Sequence, residues 1–196
     1  MTDLEQYTPG PANMAQIRKE RLQNGEEKWT LVLVKDLRHP PEKVWQALTD
    51  PAQLREWAPF DAAGNLGMAG STVKLTTVGA PTPRVTETTV KRADAPEVLE
   101  YTWGDFNMRW KLDAIDGGTR LTLWTNIGHR FIAMGAAGWH ICFDVLDRLL
   151  SGNPIGRLVG PEAIDFGGWR RLNAEYAKQF GVESPNWPPQ VRHEAG

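Results

Sequence analysis

A single cysteine, Cys142, occurs among the 196 residues, so no internal disulfide can form, and this fits a reducing compartment. Histidine is scarce too: His39, His129, His140 and His193 show no pair at metal-ligand spacing, which argues against a metal centre. The three serines, Ser71, Ser151 and Ser184, stand outside any nucleophile-elbow pattern. No apolar run is long enough to span a bilayer; the stretch from Trp29 is already broken by Lys35. The start MTDLEQYTPGPAN has neither the basic residues nor the apolar core of a secretory signal, so the expected compartment is the cytoplasm. Neither sign of charge dominates, since 22 basic and 24 acidic residues leave a net charge of −2, and no basic patch argues for nucleic acid. The glycines Gly64, Gly67 and Gly70 fall between two β-like runs and read as a wide turn, not as a phosphate loop.

What the chain has in excess is tryptophan, nine residues against three tyrosines. Large rings at that density suit a thick core or a wide cavity. With 41% hydrophobic residues, the length allows one substantial core.

Residues 1–27 read as an N-terminal arm in which Asn13, Gln16 and Gly25 predict a short helix. Lys28 to Arg38 is rich in large apolar residues and reads as an edge or penultimate strand, buried on most of both faces. Pro40-Pro41 then opens a helix carrying Val44, Trp45 and Leu48, and Asp50-Pro51 ends it and starts a second, with Leu54 and Trp57. Six β-like runs follow, about 60–66, 71–79, 84–92, 98–103, 106–115 and 119–127, a pattern that predicts one antiparallel meander.

Two turns set the register. Gly104-Asp105 as a two-residue hairpin places Trp103 opposite Phe106, so Leu99, Tyr101, Trp103, Phe106, Met108, Trp110 and Leu112 share one face. Extension through Gly117-Gly118 adds Leu121, Leu123, Thr125 and Ile127 and leaves Trp124 outside. The strongest helix is 137–150, whose Trp139, Cys142, Phe143 and Leu146 form an apolar stripe while His140 and Asp144 lie on the polar side as a surface pair. A final helix carries Trp169, Leu172, Tyr176 and Phe180 to Gly181, and 182–196 reads as a Pro-rich tail. Glu87 is the one carboxylate in a Thr- and Val-rich strand, and its facing is open.

The stretches VWQALTDPAQLREW, EVLEYTW, DGGTRLTL and GWHICFDVLDRLL resemble the SRPBCC superfamily of START, Bet v 1 and polyketide-cyclase-like proteins. Within it they are most similar to proteins related to the C-terminal domain of the activator of Hsp90 ATPase. The resemblance covers about residues 28–181 and implies an α+β helix-grip fold, in which an antiparallel sheet wraps a long C-terminal helix, with an extra C-terminal helix added here. It also implies an elongated hydrophobic pocket between the concave sheet face and the long helix.

Trp57, Tyr101, Trp103, Phe106, Met108, Trp110, Trp139 and Phe143 are therefore the expected contacts for a small hydrophobic or aromatic molecule. No catalytic residue, metal or cofactor is expected, because the derived inner face carries almost no polar group. A cyclase- or dehydratase-like enzyme is the first alternative and needs two polar side chains converging in the cavity. A co-chaperone-like interaction module is the second; it ranks lower because 27 leading residues do not replace the separate N-terminal domain that supplies much of the chaperone contact in that family. A homodimer stays open.

Overall fold

The structure, a computed structural model, describes residues 7–165 and 168–183. Two hydrogen-bonded runs, β1 (Ala15–Arg21) and β2 (Glu27–Leu37), lead into helices α1 (Pro41–Thr49) and α2 (Pro51–Trp57). A smaller sheet of β3 (Phe60–Ala62), β4 (Thr72–Thr77) and β5 (Arg84–Thr89) comes next, followed by β6 (Arg92–Asp94), β7 (Val98–Trp103), β8 (Phe106–Ile115) and β9 (Gly118–Asn126). The last described elements are α3 (Ile132–Leu150), a short α4 (Pro161–Asp165) and α5 (Gly168–Phe180). The main sheet has the order β1-β2-β9-β8-β7-β6, and every strand pair is antiparallel. This is the α+β arrangement of a sheet gripping one long helix, with β2 in the penultimate position.

Local chemistry explains the path. Pro41 and Pro51 occupy first-turn positions where a missing N–H costs nothing, and the Asp50 side chain caps α2 by accepting from the Ala52 N–H at 2.8 Å. Trp103 pairs with Phe106 across Gly104-Asp105, where Gly104 has φ of 57°. The next turn closes one residue earlier than the sequence suggests, with Ile115 opposite Gly118, so Leu112 faces Leu121. That displaces the register by two residues, which preserves the faces: Leu121 and Leu123 point to the core, and Trp124 lies on the far side under the Arg109 guanidinium at 5.4 Å. Glu87 is exposed.

Four expectations need correction. Residues 15–21 form a strand where a helix was expected: seven residues pair with β2 from Ala15↔Leu33 to Arg21↔Glu27, and Gly25, φ 85°, turns the hairpin between them. A helix with so thin an apolar edge has little to bury, whereas pairing on β2 satisfies a full row of backbone groups at once. The meander is not one sheet either, because β3, β4 and β5 separate from the six-stranded sheet and the chain rejoins it only at β6. Finally, α3 begins at Ile132, five residues before the expected start, and His140 is fully buried rather than at the surface. Residues 1–6 of the expected arm and 184–196 of the expected tail lie outside the described residues.

Candidate ligand cavity

A cavity of about 340 Å³ opens between the N-terminal half of α3 and the ends of β7, β8 and β9. Trp103, Phe106 and Trp139 form one wall, with ring centroids 5.6 Å apart for Trp103–Phe106 and 6.1 Å for Trp103–Trp139. The Trp103 indole is fixed by its N–H, which donates to the Thr77 hydroxyl at 2.9 Å, so the smaller sheet anchors a ring of the larger one. Phe106, 38% exposed, and Phe131, 53% exposed, flank the mouth. The roof consists of Leu158, Val159, Gly160, Ala163 and Ile164, with Trp169 from the first turn of α5.

Gly135 and Gly138 lie one turn apart on α3 and line the cavity, with different roles. Gly135 admits the Ile127 side chain, which a Cβ there would meet at 2.5 Å, whereas a Cβ on Gly138 would meet nothing within 4 Å, so the helix face is empty at Gly138. Gly in a helix interior is costly relative to Ala, and an open cavity beside it supplies a reason. The roof touches the small sheet where Gly79 meets Gly160 backbone to backbone: a Cβ on Gly160 would lie 2.0 Å from the Gly79 carbonyl oxygen. Ahead of this contact, Arg157 donates to Asp61 at 2.8 Å and pins the approach to the roof.

The expected contact residues divide into two groups. Trp103, Phe106 and Trp139 lie on the cavity wall. Trp57, Tyr101, Met108, Trp110 and Phe143 are instead buried in the adjoining core, where Trp110 stacks on Phe143 at 6.0 Å and meets Trp57 edge-on at 6.0 Å. Tyr101 accepts the Trp110 indole N–H at 3.2 Å, which satisfies that donor within the core. Sequence reasoning missed Phe131, Met134, Gly135, Gly138 and Trp169. The signal for the glycines was present in IAMGAAG, whose apolar spacing continues the helix backwards through two residues that helices disfavour.

Polar chemistry on the wall is sparse: Thr77, Thr125 and Asn126 line it, and Asn126 is occupied by the Asn107 N–H and the Asp105 carbonyl. Cys142 also lines it, with its thiol pushed up to about 12, chiefly by burial. Among the described residues, no group of three or more His, Cys, Asp or Glu is placed to hold a metal. No helix among them is long and apolar enough to cross a membrane.

A buried polar network sits apart from the cavity wall, and it explains why His140 is inside. Tyr7 donates to Asp144 at 2.8 Å, Lys35 donates to the same carboxylate at 2.9 Å, and His140 Nδ1 lies 2.8 Å from the Tyr176 hydroxyl. The Met14 N–H donates to that hydroxyl at 3.2 Å. His140 Nε2 faces Asp144 Oδ2 at 3.6 Å, beyond hydrogen-bond distance, and is buried without a hydrogen-bond partner. The N-terminal segment thus straps α5 to α3, and α5 in turn carries Trp169 to the cavity.

Comparison with known proteins agrees with this architecture. The crystal structure of CalU16 from Micromonospora echinospora is similar at 20% identity, covering 83% of this chain and 95% of that one, with a TM-score of 0.60. A conserved protein of unknown function, EF2215 from Enterococcus faecalis, is similar at 18% identity over 86% and 92%, with a TM-score of 0.61. Protein MLL2253 from Mesorhizobium loti reaches 25% identity over 63% and 97%, with a TM-score of 0.54. No curated protein sequence matches the chain. The sequence model of the family described as activator of Hsp90 ATPase homolog 1-like protein matches residues 38–151. That match spans more than half of the 196 residues, and the chain belongs to the activator of Hsp90 ATPase homolog 1-like family.

Proposed function

We propose that the protein binds a small apolar molecule in this cavity, as a carrier, sensor or sequestering agent. The observation that carries the reading is the chemistry of the wall, a space of about 340 Å³ bounded by aromatic rings and aliphatic side chains with three uncharged polar residues. That volume lies at the small end of ligand sites, roughly 300–1,000 Å³. A cyclase-like reaction needs groups that move protons, and the one titratable side chain on the wall is Cys142, which stays a thiol at neutral pH. The wall therefore supports binding over catalysis.

Native mass spectrometry of the purified chain tests this. The expected result is a co-purified small molecule lost on denaturation. Failing that, the neutral probes N-phenyl-1-naphthylamine and 1-dodecanol should bind with a dissociation constant on the order of micromolar. A chain that carries nothing and takes up neither probe would overturn the reading and favour an interaction role without a small ligand.

A further inference from the structure

Resting on the binding reading above, we infer that the cavity selects an uncharged, flat aromatic molecule, held between the Trp103–Trp139 wall and Trp169, which acts as the specificity-determining clamp. Five aromatic residues line the cavity, and they are not equivalent. Trp103 is tilted at 43° to Phe106 and meets Trp139 edge-on at 85°, so the three rings form an angled aromatic wall. Trp169 and Phe131 make no ring contact with another described aromatic, although both line the cavity. A flat guest stacked on one face of this angled wall and edge-on to the next supplies the partner that Trp169 and Phe131 lack, and aromatic pairs, stacked or edge-on, gain beyond area burial when centroids are about 4.5–7 Å apart. Linear aliphatic chains bury area but not this stacking.

The charge of the guest follows from the same wall. None of its residues is Lys, Arg, His, Asp or Glu. A carboxylate or ammonium brought there would lose its hydration with no counter-ion in return. Arg157, close enough to act electrostatically on the wall residue Cys142, is not itself on the wall; it directs one nitrogen to Asp61, while its Nη1 is buried without a hydrogen-bond partner. The wall offers a neutral ligand a hydrogen-bond donor: the Thr77 hydroxyl oxygen accepts from Trp103, which leaves its proton for an acceptor on the guest.

Trp169 also lies outside residues 38–151, so this part of the site comes from the chain's own C-terminal extension. The helix bearing it is held by contacts with the N-terminal segment, including Ala12 N–H to Glu175 at 3.0 Å and Gln179 to the Ala15 carbonyl at 3.2 Å.

The test compares two probes with one ring skeleton, N-phenyl-1-naphthylamine and 8-anilino-1-naphthalenesulfonate, on the full chain, with 1-dodecanol as a neutral aliphatic control. The neutral aromatic should bind about tenfold or more tighter than the sulfonate and tighter than dodecanol. Trp169→Ala should weaken it about tenfold, and Trp169→Phe by less than about threefold. Should the alanine variant not fold, Trp169→Leu, apolar but without a ring, takes its place. Equal affinity for both naphthalene probes, or no effect of removing the Trp169 ring, would overturn the inference while leaving apolar binding intact. Tighter binding of the sulfonate would overturn it as well and move the anchor to Arg157. If no probe binds, the binding reading itself falls.

Discussion

The Tyr176 hydroxyl and His140 Nδ1, 36 positions apart in sequence, meet at 2.8 Å in the interior and join the last helix to the long one. His140 is fully buried, with Asp144, Lys35 and Tyr176 around it and Arg171 and Glu175 further off. Its imidazole lies below the ordinary value of 6.5, first because burial disfavours the cation; Asp144 opposes this, and Lys35 adds to it.

Stability should consequently depend on pH in one direction. A depressed folded-state value means that, below 6.5, the unfolded chain binds more protons than the folded one. The contribution of His140 is complete above pH 6.5 and is lost as pH falls beneath it. Urea midpoints should drop between pH 7.5 and 5, and His140→Gln should flatten that drop while lowering stability at pH 7.5 by about 1–2 kcal/mol for the lost buried hydrogen bond. Parallel curves for both proteins would remove His140 from the account.

Phe143 provides a packing prediction. It is fully buried, stacked on Trp110 at 6.0 Å and edge-on to Trp139 at 6.5 Å. Phe143→Ala should cost about 3–5 kcal/mol, the range for deleting a ring from a filled core. A loss under about 1 kcal/mol, read from denaturant unfolding, would place a void beside Phe143 and extend the cavity towards Trp110.

How much of this could be read in the sequence differs between elements for physical reasons. The β7–β8 hairpin was legible because glycine at a two-residue turn sets register directly, and the two-residue displacement at the β8–β9 turn did no harm since side-chain facing repeats every two residues. The N-terminal strand was not, because Ala15–Arg21 carries good helix formers and is a strand only through pairing with β2. His140 was misplaced because amphipathic reasoning assumes one covered face, whereas α3 is covered on a second side by α5 and Tyr7. Trp110 and Phe143 share a sheet or helix face with cavity residues yet lie deeper, and periodicity gives the face without the depth.

Gly138 offers a separable test of the empty space. A methyl group there meets no atom within 4 Å, so Gly138→Ala removes backbone freedom from the unfolded chain without a clash. It should raise stability by about 0.5–1 kcal/mol. Gly138→Leu projects a full side chain into the cavity and should reduce uptake of N-phenyl-1-naphthylamine about tenfold or more while the fold persists by circular dichroism. Unchanged uptake by the leucine variant would show that the probe sits elsewhere.

Cys142 reports on the cavity from within, because it is the one cysteine of the chain and lies on the wall beside Trp139 and Gly138. Its thiol is pushed up to about 12 by burial, with Arg157 opposing only in part. Alkylation proceeds through the thiolate, so its rate should be far below that of an exposed cysteine at pH 7.5. It should keep rising about tenfold per pH unit up to pH 9.5, where an ordinary thiol, titrating near about 8.5, has already levelled off. A bound apolar molecule covers the sulfur, so saturating N-phenyl-1-naphthylamine should slow N-ethylmaleimide labelling further, and unfolding in urea should abolish both effects. Mass spectrometry of the labelled chain gives the rate directly. Labelling as fast as that of a free thiol, or a rate indifferent to the probe, would mean that Cys142 does not face the space the ligand occupies.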